Sequence, residues 1–178
     1  MSLVLDRDPV LTSTPGQGGV RTRALTRSDA AALDEIFSGL SARSRYLRYH
    51  SGTPRLTARM RQALLEVDGR RHLARVAEVA VPGGVRAIGI ARAVGIGARR
   101  AELALEVVDA WHRQGVGSLL LTEVAVEARR VGYAELYAEV LPENRAMRRL
   151  LDRTLGAGLL EHDDGGTRIR YGAPVTSS

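Results

Sequence analysis

The chain contains neither cysteine nor lysine. Without cysteine there is no disulfide, no thiol nucleophile and no thiolate metal site, and an intracellular setting is the simpler expectation. Without lysine, all 26 basic residues are arginines. Their guanidinium groups keep their protons near neutral pH, so the positive field is permanent and suits phosphate, carboxylate or other acidic partners. Aromatics are scarce, with one Phe, one Trp and five Tyr, and the basic residues are scattered. No nucleic-acid partner is therefore expected despite the net charge of +6. No run approaches the ~18 apolar residues of a membrane helix, and Asp6-Arg7-Asp8 stands where a signal peptide needs an apolar stretch. His50, His72, His112 and His162 show no metal-ligand spacing. The expectation is a soluble cytoplasmic protein, a monomer or homodimer, with no metal and no membrane partner.

What is present is enough apolar material for one core. A chain of 178 residues, 44% of them hydrophobic, buries roughly 70% of the surface its unfolded form exposes. Residues 1–19, ending Thr14-Pro15-Gly16-Gln17-Gly18-Gly19, read as a flexible lead-in, and 20–175 as a single domain. A short strand from Val20 leads to Ser28, a candidate cap for a helix with Leu33, Ile36, Phe37 and Leu40 on one face. Ser41–Tyr49 predicts a second helix. Thr57 predicts the cap of a third, with Met60, Ala63, Leu64 and Val67 on one side. Strands are expected over 72–81 and 85–94 around Pro82-Gly83-Gly84, and over 101–108. A helix through Leu121, Val124, Ala125 and Ala128 ends at Gly132, and a strand covers 136–140. A helix opened by Pro142-Glu143-Asn144 turns Met147, Leu150 and Leu151 inward, and a hairpin around Asp163-Asp164-Gly165-Gly166 closes the chain. The fold class is α/β (α+β), a sheet flanked by helices.

The most informative segment runs from the strand ending Val107-Val108 through Asp109-Ala110-Trp111-His112-Arg113-Gln114-Gly115-Val116-Gly117-Ser118 into a helix. A glycine-bearing turn at a helix start presents unpaired backbone N–H groups and the positive end of the helix dipole, which together bind anions. Arg113 strengthens the attraction. The turn lacks the Gly-Lys-Ser/Thr ending of a triphosphate loop and the third glycine of a dinucleotide fingerprint. Upstream, alternation puts Glu102 and Glu106 on one face of the strand, opposite Leu103, Leu105 and Val107.

Val107 to Gly117 resembles the acyl-CoA-binding signature of the GNAT N-acetyltransferases, Gln/Arg-x-x-Gly-x-Gly/Ala, with His112 where the pattern has Gln or Arg. The segment from Pro142 to Leu151 resembles the family's later cofactor-flanking helix, opened by Asn144. Leu40-Ser41-x-x-Ser44-Arg45-Tyr46-Leu47-Arg48-Tyr49, Leu56-Thr57 and Val67-Asp68-x-x-Arg71-His72 narrow the resemblance to the acetyltransferase domain of bacterial protein lysine acetyltransferases, over roughly residues 20 to 160.

The resemblance implies a central mixed, mostly antiparallel sheet and acetyl-CoA as co-substrate, held by Val107, Val108, His112, Arg113, Gln114, Gly115, Val116, Gly117, Ser118 and Asn144. It also implies an amine acceptor, a protein lysine ahead of a small molecule, with a non-catalytic acyl-CoA-binding regulator as the remaining alternative. Glu102 is then the general base, with Glu106 on the same face as the alternative. Arg145, Arg148 and Arg149 are candidates for the nucleotide end of coenzyme A. Many relatives carry a tyrosine acid seven residues after the motif Asn; Leu151 stands there, so no tyrosine acid is assigned.

Overall fold

A computed structural model of the protein describes residues 19–52, 54–97, 99–156, 159–163 and 166–172, with side chains up to residue 156. The expected flexible lead-in up to residue 18 and the tip of the closing hairpin lie outside the described residues. Among the described residues seven strands form one sheet: β1 (Arg21–Ala24), β2 (His72–Val81), β3 (Gly84–Gly95), β4 (Arg100–Val107), β5 (Glu135–Glu139), β6 (Leu159–Asp163) and β7 (Gly166–Gly172), in the order β1-β2-β3-β4-β5-β7-β6. Every neighbouring pair is antiparallel except β4 with β5. The sheet is thus mixed and mostly antiparallel, as expected.

Among the described residues five α-helices cover its two faces. On one lie α1 (Ala30–Ser38), α2 (Ala42–Tyr49) and α3 (Ala58–Leu65); α1 and α3 enclose a core of Leu33, Ile36, Phe37, Leu56, Val76 and Ile90. On the other, α4 (Val116–Arg130) and α5 (Arg145–Leu155) pack through Leu120, Leu121, Val124, Leu150 and Leu151 onto Leu103, Leu105 and Val107. The alternation along β4 therefore sends one set of side chains to each core, and Glu102 and Glu106 go to the α1–α3 side.

Three local expectations shift. Asp29, not Ser28, occupies the N-cap position of α1 and makes no side-chain bond to the helix amides; its carboxylate accepts from the Thr26 amide at 2.6 Å and pairs with Arg23 at 2.8 Å, fixing the chain one residue later. Those bonds hold the Asp29 carboxyl down at about 2, the Arg23 hydrogen bond being the largest cause. Ala63 is exposed and Val67 lies beyond the end of α3, so the apolar side of α3 consists of Met60, Leu64 and Leu65. His162 and Asp163 belong to β6 rather than to a turn. Ser41 and Thr57 cap α2 and α3 as expected, each accepting from the amide three residues on.

Candidate active site

β4 and β5 pair only from Arg100↔Glu135 to Glu102↔Tyr137 and then diverge. The divergence opens a cleft of about 1770 Å³, walled by α2, β4, the turn before α4, the end of β5 and α5. The Val108 amide donates to the Ile88 carbonyl at 2.9 Å, so alternate residues of β4 aim their backbone groups at β3, whereas Leu105 and Val107 aim theirs into the cleft.

The turn is shaped by backbone conformation. Arg113 and Gly115 adopt left-handed φ values of 59° and 83°, and the first α4 hydrogen bond runs from the Leu119 amide to the Gly115 carbonyl at 3.0 Å. The amides of Val116, Gly117 and Ser118 therefore have no acceptor among the described residues; Gly117 and Ser118 line the cleft, and Val116 between Gly115 and Gly117 does not. At Gly117 the packing is tight. A Cβ there would lie 3.0 Å from Leu150 Cδ2 and 3.3 Å from Leu105 Cδ2, so glycine lets α4 sit down on both β4 and α5. Gln114 fastens the turn internally, its Nε2 donating to the Ala110 carbonyl at 2.8 Å.

His112 has a different job from a Gln or Arg reaching outward. Its Nε2 lies 2.8 Å from the Val107 carbonyl, which can only accept, so this nitrogen carries the proton and ties the turn to the end of β4. Asp109 joins the same turn to the residues just before α2, its amide donating to the Gly39 carbonyl at 3.2 Å. Burial opposes its charge, yet the hydroxyls of Ser41 and Ser44 at the start of that helix hold its carboxyl below the ordinary range.

At the other wall Asn144 caps α5, its Oδ1 accepting from the Met147 amide at 3.2 Å, and the residue also lines the cleft. Arg145, Arg149 and Arg153, four residues apart on α5, line it together with Arg113; Arg148 does not. Leu151 is fully buried in the core.

Glu102 and Glu106 both line the cleft but differ in surroundings. Glu102 is half-buried and accepts from the Tyr137 hydroxyl at 3.3 Å. Glu106 is buried, and its Oε1 is taken by Arg48 Nε at 3.1 Å. Tyr49 lies beside Glu106, and burial raises its hydroxyl above the ordinary tyrosine range. Beneath them Arg92 is 2% exposed, and burial pushes its guanidinium down to about 10. Tyr137, Arg48, Tyr49 and Arg92 were not singled out as site residues from the sequence. The only signal available was the position of Arg48 and Tyr49 within the Ser41–Tyr49 segment.

A sequence model of the Acetyltransferase (GNAT) family matches residues 40–157. Acetyltransferase Pat of Mycolicibacterium smegmatis is 35% identical over 136 residues, which is 75% of this chain but 40% of the length of Pat. The crystal structure of the GNAT domain of S. lividans PAT superimposes with a TM-score of 0.77 at 29% identity, covering 86% of this chain and 90% of that one. The fold is also that of yncA, a putative acetyltransferase from Salmonella typhimurium solved with its cofactor acetyl-CoA, with a TM-score of 0.65 at 20% identity over 90% of this chain and 98% of that one. An open cleft beside a splayed strand, an amide-lined turn at its floor and a family match spanning both together make this chain a member of the GNAT acetyltransferase family.

Proposed function

We propose that the protein transfers the acetyl group of acetyl-CoA to a primary amine, a protein lysine side chain, with Glu102 taking the ammonium proton. The observation that carries this reading is the shared cleft: the unpaired amides at the start of α4 and the Glu102 carboxylate open onto the same space. Acetyl-CoA supplies the activated thioester. The amides of Val116, Gly117 and Ser118 bind its diphosphate, with Arg113 adding charge, and Arg145, Arg149 and Arg153 suit the phosphorylated nucleotide end. The Leu105 backbone and the Val107 amide are partners for the amide-bearing arm, in the manner of an added strand, the Val107 carbonyl being taken by His112.

A lysine amine has an ordinary pKa of ~10.4 and attacks only when deprotonated, so a base within the cleft is needed. Glu102 suits this role better than Glu106 because it is half-buried beside the cleft and its one partner among the described residues is a hydroxyl, whereas the carboxylate of Glu106 is engaged by Arg48. With Leu151 in the core, no residue at that position protonates the departing thiolate, which is itself a fair leaving group.

The protein acceptor is supported by the resemblance carried by the Leu40–Tyr49, Leu56-Thr57 and Val67–His72 segments. Two measurements test the reading. Calorimetric titration with acetyl-CoA should show one-to-one binding, and absence of heat at high micromolar ligand would end it. Labelled acetyl-CoA incubated with lysine peptides, a cell lysate and simple amines should label protein lysines, and labelling confined to the small amines would overturn the acceptor.

A further inference from the structure

Among the described residues the fold buries two charged side chains, Arg92 at 2% exposure and Glu106 at 6%. They stand on neighbouring strands and the same face in diagonal register, Arg92 opposite Ala104 and Glu106 opposite Ile90. That spacing lets long side chains sense one another across a sheet. Arg92 is anchored from behind. Its Nη1 donates to the Leu64 carbonyl at 2.6 Å, at the end of α3, and lies 3.2 Å from His72 Nε2. A guanidinium has no lone pair to offer, so His72 Nε2 must accept and the ring proton sits on Nδ1, 3.1 Å from the Glu66 carbonyl. The Nε and Nη2 donors of Arg92 have no hydrogen-bond partner, and no carboxylate comes within ion-pair distance of this guanidinium among the described residues.

Glu106 is held from the front by Arg48, on the last turn of α2. A buried cation that no carboxylate touches is a costly choice where an apolar side chain would pack. Burial lowers Arg92 most, and its main compensation is the charge of Glu106. We propose that Arg92 is a positioning residue of the active site: its buried charge draws the Glu106 carboxylate to where it grips Arg48, which fixes α2 as the wall against which the amine acceptor docks. Arg48 lies on the last turn of α2, whereas Asp109 of the cofactor-binding turn meets the first turn at Ser41 and Ser44, so none of the contacts of Arg92, Glu106 and Arg48 reaches the amides of Val116, Gly117 and Ser118.

The proposal rests on the acetyltransferase reading, and its test separates the two. Steady-state kinetics on a lysine peptide, with acetyl-CoA affinity by calorimetry, are compared for wild type, Arg92→Met, Arg92→Lys, Glu106→Gln and the Arg92→Met/Glu106→Gln double variant. Arg92→Met should raise the acceptor KM about tenfold and leave the acetyl-CoA Kd within about twofold. Arg92→Lys should recover most of the loss, and the double variant should be no worse than the worse single one. Multiplying effects in the double variant, or acetyl-CoA affinity lost in step with acceptor KM, would overturn it. The NMR signal of the Arg48 Nε–H, protected while bonded to Glu106, supplies a readout independent of turnover. It should vanish in Arg92→Met and persist in Arg92→Lys, and its persistence in Arg92→Met would overturn the proposal even if wild type turned over no amine. Should Arg92→Met not fold, Arg92→Gln takes its place with the same expectations.

Discussion

Gly117 is where three elements meet, and it shows how little room the cofactor-binding turn leaves. Gly117→Val would push branched carbons toward Leu150 and Leu105, whose Cδ2 atoms already lie 3.0 and 3.3 Å from an ideal Cβ. Overpacking of this kind costs about 1–3 kcal/mol, so urea unfolding should show that loss together with weaker acetyl-CoA binding. At Glu102 the expectation is the opposite division. Glu102→Gln should leave stability and acetyl-CoA Kd unchanged while kcat falls about 10²- to 10⁴-fold, the usual contribution of a positioned base. A kcat within about twofold of wild type would remove Glu102 from the mechanism. That both glutamates share a face was legible in the alternation of Ala101–Val108. That Arg48 engages one of them was not, because 58 positions separate Arg48 from Glu106 and only tertiary packing brings them together.

Helix ends were the most readable elements. Ser41, Thr57 and Asn144 each accept a hydrogen bond from the third residue of the helix they open, as short polar side chains at these positions do. The Ser28 expectation failed by one residue because a neighbouring aspartate found an arginine and a threonine to bind, which a local pattern does not contain. Asn144→Ala removes the α5 cap and should cost about 1 kcal/mol in a denaturant titration. Acetyl-CoA affinity should fall as well, because α5 carries the arginines that line the cleft. The divergence of β4 from β5 was invisible in the sequence, since the strand propensity of 135–139 says nothing about where pairing stops.

Stability of the whole molecule should respond to acid in two stages. Burial, and then the charge of Arg92, depress His72 below its ordinary 6.5. The unfolded chain therefore binds this proton more readily than the folded one. The contribution is complete above about pH 6.5 and is lost as pH falls from there toward the lower folded value. Asp29, held down at about 2, contributes above its ordinary 3.8, and that share disappears between those values. Unfolding midpoints between about pH 8 and pH 5 should therefore fall for wild type and stay flatter for His72→Gln; an unchanged wild-type midpoint would show that His72 titrates normally.

The parting of β4 from β5 has one further consequence. Beyond Glu102 the seven-stranded sheet contains a sheet edge in its own interior, and an uncovered edge invites any extended chain to pair with it. A ligand that fills the seam would act as a structural patch, adding about 2.7 kcal/mol of stability at a hundredfold excess over Kd. The empty form should accordingly be the one that self-associates on warming, and amide exchange at Leu105 and Val107 should slow sharply once acetyl-CoA is added.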